Sequence, residues 1–124
     1  VIRDERFRPQ DRIRKRSEYQ ALYESARRIP SKNFVLFVRN NEFGHPRLGI
    51  TVSRRLGGAV QRNRAKRLLR EIFRRHKGAL VDVDIVVNGR ASLPGAEYRR
   101  LESELLGCLR PYLKPAASES GGRA

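Results

Sequence analysis

A single cysteine, Cys108, stands among 124 residues, so no intrachain disulfide can form. With Leu105 and Leu109 near it at helical spacing, it is expected as a small core residue with no redox or nucleophilic role. The absence of methionine points to an initiator that was removed or precedes the sequence, and it bears on no function. No apolar run approaches the roughly 20 residues needed to span a bilayer, and the N-terminus is charged rather than signal-like. A soluble, cytoplasmic protein is expected. The two histidines, His45 beside Pro46 and His76 at the end of a basic stretch, lie too far apart to suggest a metal set or a general base. Neither Gly57-Gly58 nor Gly121-Gly122 leads into Gly-Lys-Ser/Thr, which excludes a nucleotide-phosphate loop. Asp82 and Asp84 would share a strand face at a spacing that can hold a divalent cation. With no third ligand nearby, solvated carboxylates at a strand entry are the simpler reading. The length favours one domain and leaves no room for a second, catalytic one. The chain is therefore expected to carry no catalytic residues and no metal site of its own.

Acids are scarce as well: 13 Asp and Glu against 28 Lys and Arg leave a net charge of +15. The imbalance belongs to residues 1–77, with 22 bases and 7 acids, whereas 78–124 hold 6 of each. It peaks between Arg54 and Lys77, where ten bases meet one acid, Glu71. At about 100° per residue, Ala65, Leu68, Leu69, Ile72 and Phe73 form one apolar helical stripe. Asn63, Lys66, Arg67, Arg70 and Arg74 occupy the opposite side. Arg62 flanks one edge, and Arg64 and Arg75 lie near Glu71 on the other. A helix that needed only solubility would mix signs and gain from i,i+4 pairs. Crowded like charges are instead tolerated when a polyanion neutralises them, which points to nucleic acid over a merely solvated face.

Along the chain, residues 1–12 predict an extended basic arm, with Phe7 and Pro9 as isolated anchors. Ser17 and Gln20 read as a capping box for a short helix over 17–25, with Tyr19, Leu22, Tyr23 and Ala26 at helical spacing and Arg27 and Arg28 suited to its C-terminal end. Alternation predicts a strand over 33–39. After the turn residues Asn40, Asn41, Gly44 and Pro46, it predicts a second strand through Leu48, Ile50 and Val52, forming an antiparallel pair with the first. The small residues Gly49, Thr51 and Ser53 leave one sheet face shallow. The basic helix should run over 59–76 and stop at Gly78. Val83, Ile85, Val86 and Val87 form a buried strand reached by a crossover. Tyr98, Leu101, Leu105, Cys108, Leu109 and Tyr112 then predict a third helix ending before Pro115. A single α+β domain, an αβ-sandwich over 13–114, is expected, with a disordered C-terminal tail over 115–124.

The strongest constellation is Arg62, Asn63, Arg64, Lys66, Arg67 and Arg70, preceded by Arg54, Arg55 and the Gly57-Gly58 pair. Arginine forks grip phosphates, a helix N-terminus adds free N–H groups, and an amide among cations suits a ribose hydroxyl or base edge. Arg12, Arg14, Lys15 and Arg16 extend the basic surface. Tyr19, Tyr23 and Phe37 would form a cleft for unpaired bases if they shared a floor of Gly49 and Thr51. Spacing alone favours ordinary core for these three and Phe34, because aromatics at helical or alternating positions usually pack inward.

The run Gly57-Gly58-Ala59-Val60-Gln61-Arg62-Asn63-Arg64-Ala65-Lys66-Arg67-Leu68-Leu69-Arg70-Glu71 resembles the signature of the protein subunit of bacterial ribonuclease P. Arg16-Ser17-Glu18-Tyr19, Phe34-Val35-Leu36-Phe37 and Leu48-Gly49-Ile50-Thr51-Val52-Ser53-Arg54-Arg55 resemble it too, so the likeness spans residues 13–113. Two positions depart from the family pattern. Tyrosines stand at 19 and 23 where phenylalanines are usual, and Gly58 stands where a capping Asn is common.

The resemblance implies an αβ-sandwich similar to the ribosomal protein S5 domain 2-like fold, with a left-handed βαβ crossover around the basic helix. It implies a non-catalytic subunit of an endoribonuclease in which a catalytic RNA, using Mg2+, removes the 5′ leader from precursor tRNA. One protein per RNA is expected, with no cofactor assigned to the protein itself. Residue by residue, Arg16, Arg54, Arg55, Arg62, Asn63, Arg64, Lys66, Arg67 and Arg70 are implied contacts to the catalytic RNA. Tyr19, Tyr23 and Phe37 are implied to line the leader cleft. A ribosomal or general RNA-binding protein is the alternative, and a metal-dependent nuclease using Asp82 and Asp84 is a third class that the missing catalytic constellation disfavours.

Overall fold

A computed structural model of the protein describes residues 7–115. Among them are three α-helices, α1 (Arg16–Ser25), α2 (Ala59–His76) and α3 (Tyr98–Cys108), and four strands, β1 (Arg27–Pro30), β2 (Phe34–Asn40), β3 (Arg47–Thr51) and β4 (Val83–Gly89). The strands form one sheet in the order β1-β2-β4-β3. No described helix is long and apolar enough to cross a membrane.

Each strand of the sheet sends alternate side chains to opposite faces. Phe34, Leu36, Val38, Leu48, Ile85 and Val87 face α2 and α3, where they join Ala65, Leu69, Ile72, Phe73, Leu101 and Leu105 in the main core. The opposite face is covered by α1, whose Leu22 is buried with Ile13 and Val86 against Tyr19, Ala26 and Phe37. The result is the expected α+β sandwich, with one helix on one face and two on the other. The apolar stripe of α2 lies where periodicity placed it: Ala65, Leu69, Ile72 and Phe73 are buried, and each large one contributes about 1.5–3 kcal/mol by leaving water.

Several local expectations are corrected. β3 does not pair with β2; β4 lies between them, antiparallel to β2 and parallel to β3. The chain therefore passes from β3 through α2 into the neighbouring parallel strand, because two parallel strands require a long crossover and α2 supplies it. Arg27 and Arg28 directly follow the Ala26 C-cap of α1 and are also the first residues of β1, an edge strand paired with β2 that was not expected from the sequence. The capping box does not form. α1 begins at Arg16 after an uncapped Lys15. α2 passes directly into a 3-10 turn, Lys77–Ala79, and α3 stops at Cys108 before a second turn, Arg110–Tyr112. Cys108 packs partly buried against the core, as expected.

The arm over 1–12 is also corrected where it is described; residues 1–6 lie outside the described region, as do 116–124 of the expected tail. Residues Pro9–Asp11 form a 3-10 turn, and the Ile13 N–H donates to the Leu48 carbonyl at 3.0 Å. The Phe7 ring meets Phe73 edge-on at 5.7 Å. The buried Asp11 carboxylate accepts from Lys77 Nζ at 2.8 Å. His45 Nε2 lies 2.9 Å from the Gln10 carbonyl oxygen. This segment is docked against β3 and α2, not free.

Asp84 is not a solvated carboxylate. It is buried at the start of β4, where Arg47 grips it with Nε and Nη2 at 2.9 and 2.8 Å and Asn41 Nδ2 donates at 2.8 Å. Arg47 Nη1 also donates to Glu18 Oε2 of α1 at 3.1 Å. Three hydrogen bonds commit this buried carboxylate to Arg47 and Asn41, and among the described residues no three His, Cys, Asp or Glu side chains cluster as a cation site.

Candidate nucleic-acid interface

The outer side of α2 presents Asn63, Lys66, Arg67 and Arg70 along a groove whose far wall is Phe7 and Arg12 of the N-terminal segment. Among the described residues, no carboxylate lies within ion-pair distance of Arg62, Lys66, Arg67 or Arg70. The last turn differs. Glu71 accepts from Arg74 Nη2 at 2.7 Å and Arg75 Nε at 2.9 Å. Arg74, and then Arg75, hold its carboxyl below the usual range against the opposing effect of burial. The single acid thus pairs with Arg74 and Arg75 and leaves the cations nearer the N-terminus without an acidic partner. Arg70 is itself half-buried, and burial, with the neighbouring Arg12 charge, lowers its pKa.

α2 starts at a sharp turn. Gly57 has φ +119°, in the region open mainly to glycine, and an added Cβ would lie 3.1 Å from Gln61 Cβ. Gly58 occupies the N-cap with no side-chain cap, as the departure from Asn leads one to expect. Just before it, Arg54 and Arg55 lie exposed on a 3-10 turn whose start is capped by Ser53 Oγ, which accepts from the Arg55 N–H. Exposed Val60 sits in the first turn of α2. Arg64 leaves the outer face: its Nε donates to the Pro94 carbonyl at 2.9 Å and ties α2 to the segment after β4.

Across β3 from α2 lies an aromatic cleft. Arg14, Arg16, Tyr19, Gln20, Tyr23 and Thr51 line a concavity of about 530 Å³. Tyr23, 39% exposed, meets the Phe37 ring edge-on at 4.9 Å and Tyr19 at 6.4 Å. Phe37 is partly buried, and only Phe34 of the four aromatics is ordinary core, fully buried on the opposite sheet face. Gly49 fits the predicted floor: a Cβ there would lie 2.6 Å from Tyr19 Oη, so the ring rests directly on the β3 backbone. The two tyrosine hydroxyls find partners. Tyr19 donates to the Ile13 carbonyl at 3.1 Å. Tyr23 donates to Asn88 Oδ1 at 3.0 Å and lies 3.4 Å from Thr51 Oγ1. Burial raises the Tyr19 pKa, keeping this hydroxyl protonated at neutral pH.

The structure thus brings Arg16, Tyr19 and Tyr23 to one cleft, with Phe37 packed edge-on against Tyr23, and Asn63, Lys66, Arg67 and Arg70 to a nearby groove. Arg54, Arg55 and Arg62 lie at the rim near the α2 N-terminus, and Arg64 is partly committed to a structural bond. Sequence reasoning missed Asn88, which orients Tyr23 from 65 positions away, and the part of Phe7 and Arg12 as a wall. The basic group Arg12, Arg14, Lys15 and Arg16 was the signal for the wall; nothing local marks Asn88.

The family model for ribonuclease P matches residues 7–112. The ribonuclease P protein component of Syntrophus aciditrophicus (strain SB) is 42% identical over 96 residues, covering 77% of this chain and 81% of the relative. The solved RNase P protein of Staphylococcus aureus superposes with a TM-score of 0.75 at 35% identity, over 82% of this chain and 94% of that one. The RNase P protein of Thermotoga maritima gives 0.74 at 34%, over 81% and 96%. Sharing both sequence and fold with these proteins over nearly all its described residues, the chain belongs to the family of ribonuclease P protein components.

Proposed function

We propose that this chain is the RNA-binding protein subunit of a ribonuclease P ribonucleoprotein, assisting a catalytic RNA in removing the 5′ leader from precursor tRNA. The observation that carries the reading is the adjacency of an unpaired cationic helix face to a cleft that leaves aromatic surface open. One suits phosphates of folded RNA and the other suits unstacked bases.

Asn63 and Arg67, with Arg16, Arg54, Arg55, Arg62 and Arg64 around them, neutralise backbone charge on the catalytic RNA, and Lys66 and Arg70, which also line the cavity beside the cleft, stand where that RNA and the leader meet. Tyr19, Tyr23 and Phe37 receive the single-stranded leader; Tyr23 has the most exposed ring of the three and serves as the stacking platform. Bringing two polyanions together costs Coulomb energy that either cations of the protein or Mg2+ must offset. A cationic subunit therefore lowers the magnesium that the RNA requires, while the cleavage chemistry stays with the RNA and its ions. The protein's part is binding and orientation.

Tyr23→Ala tests the cleft. Loss of one stacked base, about 1–3 kcal/mol, should weaken leader-bearing precursor by roughly 5- to 150-fold and leave mature tRNA nearly unchanged. Equal losses for both ligands would make Tyr23 a packing residue and remove the leader from the cleft.

A further inference from the structure

Between the cleft and the α2 groove lies a smaller cavity of about 160 Å³, lined by Arg12, Lys66, Arg70, Tyr19 and Gly49 among others. The Arg12 Nε within this region is buried and has no hydrogen-bond partner. A buried donor of a charged group is costly to leave unsatisfied, and native structures rarely do so without a ligand or solvent partner. Two acids, Asp11 beside Arg12 in the chain and Glu71 in the same groove, are engaged elsewhere. Asp11 accepts from Lys77 and from the Arg8 N–H, and Glu71 binds Arg74 and Arg75. Arg12 and Arg70 therefore face each other as like charges, and each disfavours the other until an anion arrives.

We propose that Arg12, Lys66 and Arg70 form a phosphate pocket that holds one phosphodiester of the single strand whose bases enter the tyrosine cleft. The pocket rests on the proposed leader cleft for its source of phosphate. Its position fits that source: Arg14 and Tyr19 line both the cavity and the cleft, so a strand whose base lies near Tyr19 passes its backbone beside Arg12. The size fits also, because about 160 Å³ is room for roughly five waters, enough for the oxygens of a phosphodiester. Arg12 is held in advance. Its guanidinium carbon lies 5.0 Å over the Phe7 ring, and Phe7 is seated on Phe73. Its backbone is pinned by the 3-10 turn and by the Ile13 bond to β3. A pre-oriented fork loses little freedom when it closes on phosphate.

The test uses the full chain and a short single-stranded RNA in which each linkage in turn is a neutral methylphosphonate, with affinity read by fluorescence anisotropy. One linkage should weaken wild-type binding about tenfold, and the same replacement should cost Arg12→Gln or Lys66→Gln almost nothing. Uniform small losses at every linkage, unaltered by Arg12→Gln, would overturn the pocket. Weakening of catalytic-RNA binding by Arg12→Gln, with leader binding unchanged, would overturn the assigned source. An NMR titration of the Arg12 Nε–Hε signal with inorganic phosphate separates the pocket from the cleft. Saturable binding with no oligonucleotide binding would sustain a phosphate site while the leader reading fails. A shift that never saturates and is shared by exposed arginines would sink the site itself.

Discussion

Gly49→Ala is a one-carbon change with a large expected consequence at the cleft. The new Cβ would fall 2.6 Å from Tyr19 Oη, 2.9 Å from Cζ and 3.0 Å from Cε1. A hydroxyl oxygen and two ring carbons inside normal contact cannot be relieved by rotating the O–H; the ring must lift off β3. Lifting it stretches the bond from Tyr19 Oη to the Ile13 carbonyl, worth about 0.5–1.5 kcal/mol net, and adds overpacking strain of about 1–3 kcal/mol. The sum predicts a loss of about 1.5–4.5 kcal/mol, or a fall in Tm of roughly 6–20 °C for a domain of this size. Thermal unfolding by circular dichroism reads it directly. Because Tyr19 and Tyr23 share the cleft, precursor tRNA should also lose affinity relative to mature tRNA in the folded variant. Tyr19→Leu, with a shorter side chain, removes the atoms that clash. In that background the penalty of Gly49→Ala should fall below about 1 kcal/mol, a double-mutant coupling typical of residues in direct contact. An equal penalty in both backgrounds would refute the packing of Tyr19 on Gly49.

Three further outcomes are expected. Arg67→Ala should reduce the slope of log K against log salt for catalytic-RNA binding by about 0.7–0.9 for one lost phosphate contact, whereas Arg75→Ala, already paired with Glu71, should change it less. Arg47→Met leaves Asp84 buried without its bidentate partner and should cost about 3–5 kcal/mol in denaturant unfolding; partial restoration by Asp84→Asn in the same chain would identify the unpaired charge as the cause. Burial opposes ionisation of Glu104, but hydrogen bonds from Ser31 and Asn33 outweigh it and lower the folded-state pKa. Its stabilising contribution is therefore full above the unfolded carboxylate pKa of about 4.3 and is lost as pH falls through the lower folded value. Glu104→Gln should flatten the acid limb of a stability profile below about pH 4.3, and an unchanged limb would refute the assignment.

The parts of this fold legible in the sequence are those whose signal is local. The apolar stripe of α2 repeats with the helical period, so its limits, buried face and cationic face were all readable. Tyr19, Tyr23 and Phe37 were readable as neighbours, but the burial of the aromatics was not, since Tyr23 and Phe34 carry equally regular spacing and only the sheet decides which face meets water. Strand pairing was misread for a related reason. Leu48, Ile50 and Val52 alternate identically whether β3 joins β2 or β4, and the parallel choice depends on where α2 delivers the chain. β1 carries only Arg27, Arg28, Ile29 and Pro30, and its extended form comes from pairing with β2. Asp84 looked solvated because Arg47, 37 positions away, supplies the partner that buries it. Phe7 likewise turns from an isolated apolar residue into the anchor of a docked segment once Phe73 is in place.

The central claim is that this cationic protein makes a catalytic RNA competent without cutting RNA itself. Precursor-tRNA cleavage by a bacterial ribonuclease P RNA at low magnesium, with and without the protein, tests that claim most directly. The account predicts little cleavage by either component alone, efficient cleavage by the two together, and loss of the advantage at high magnesium or high salt. Cleavage unaffected by the protein, or cleavage by the protein alone, would contradict it.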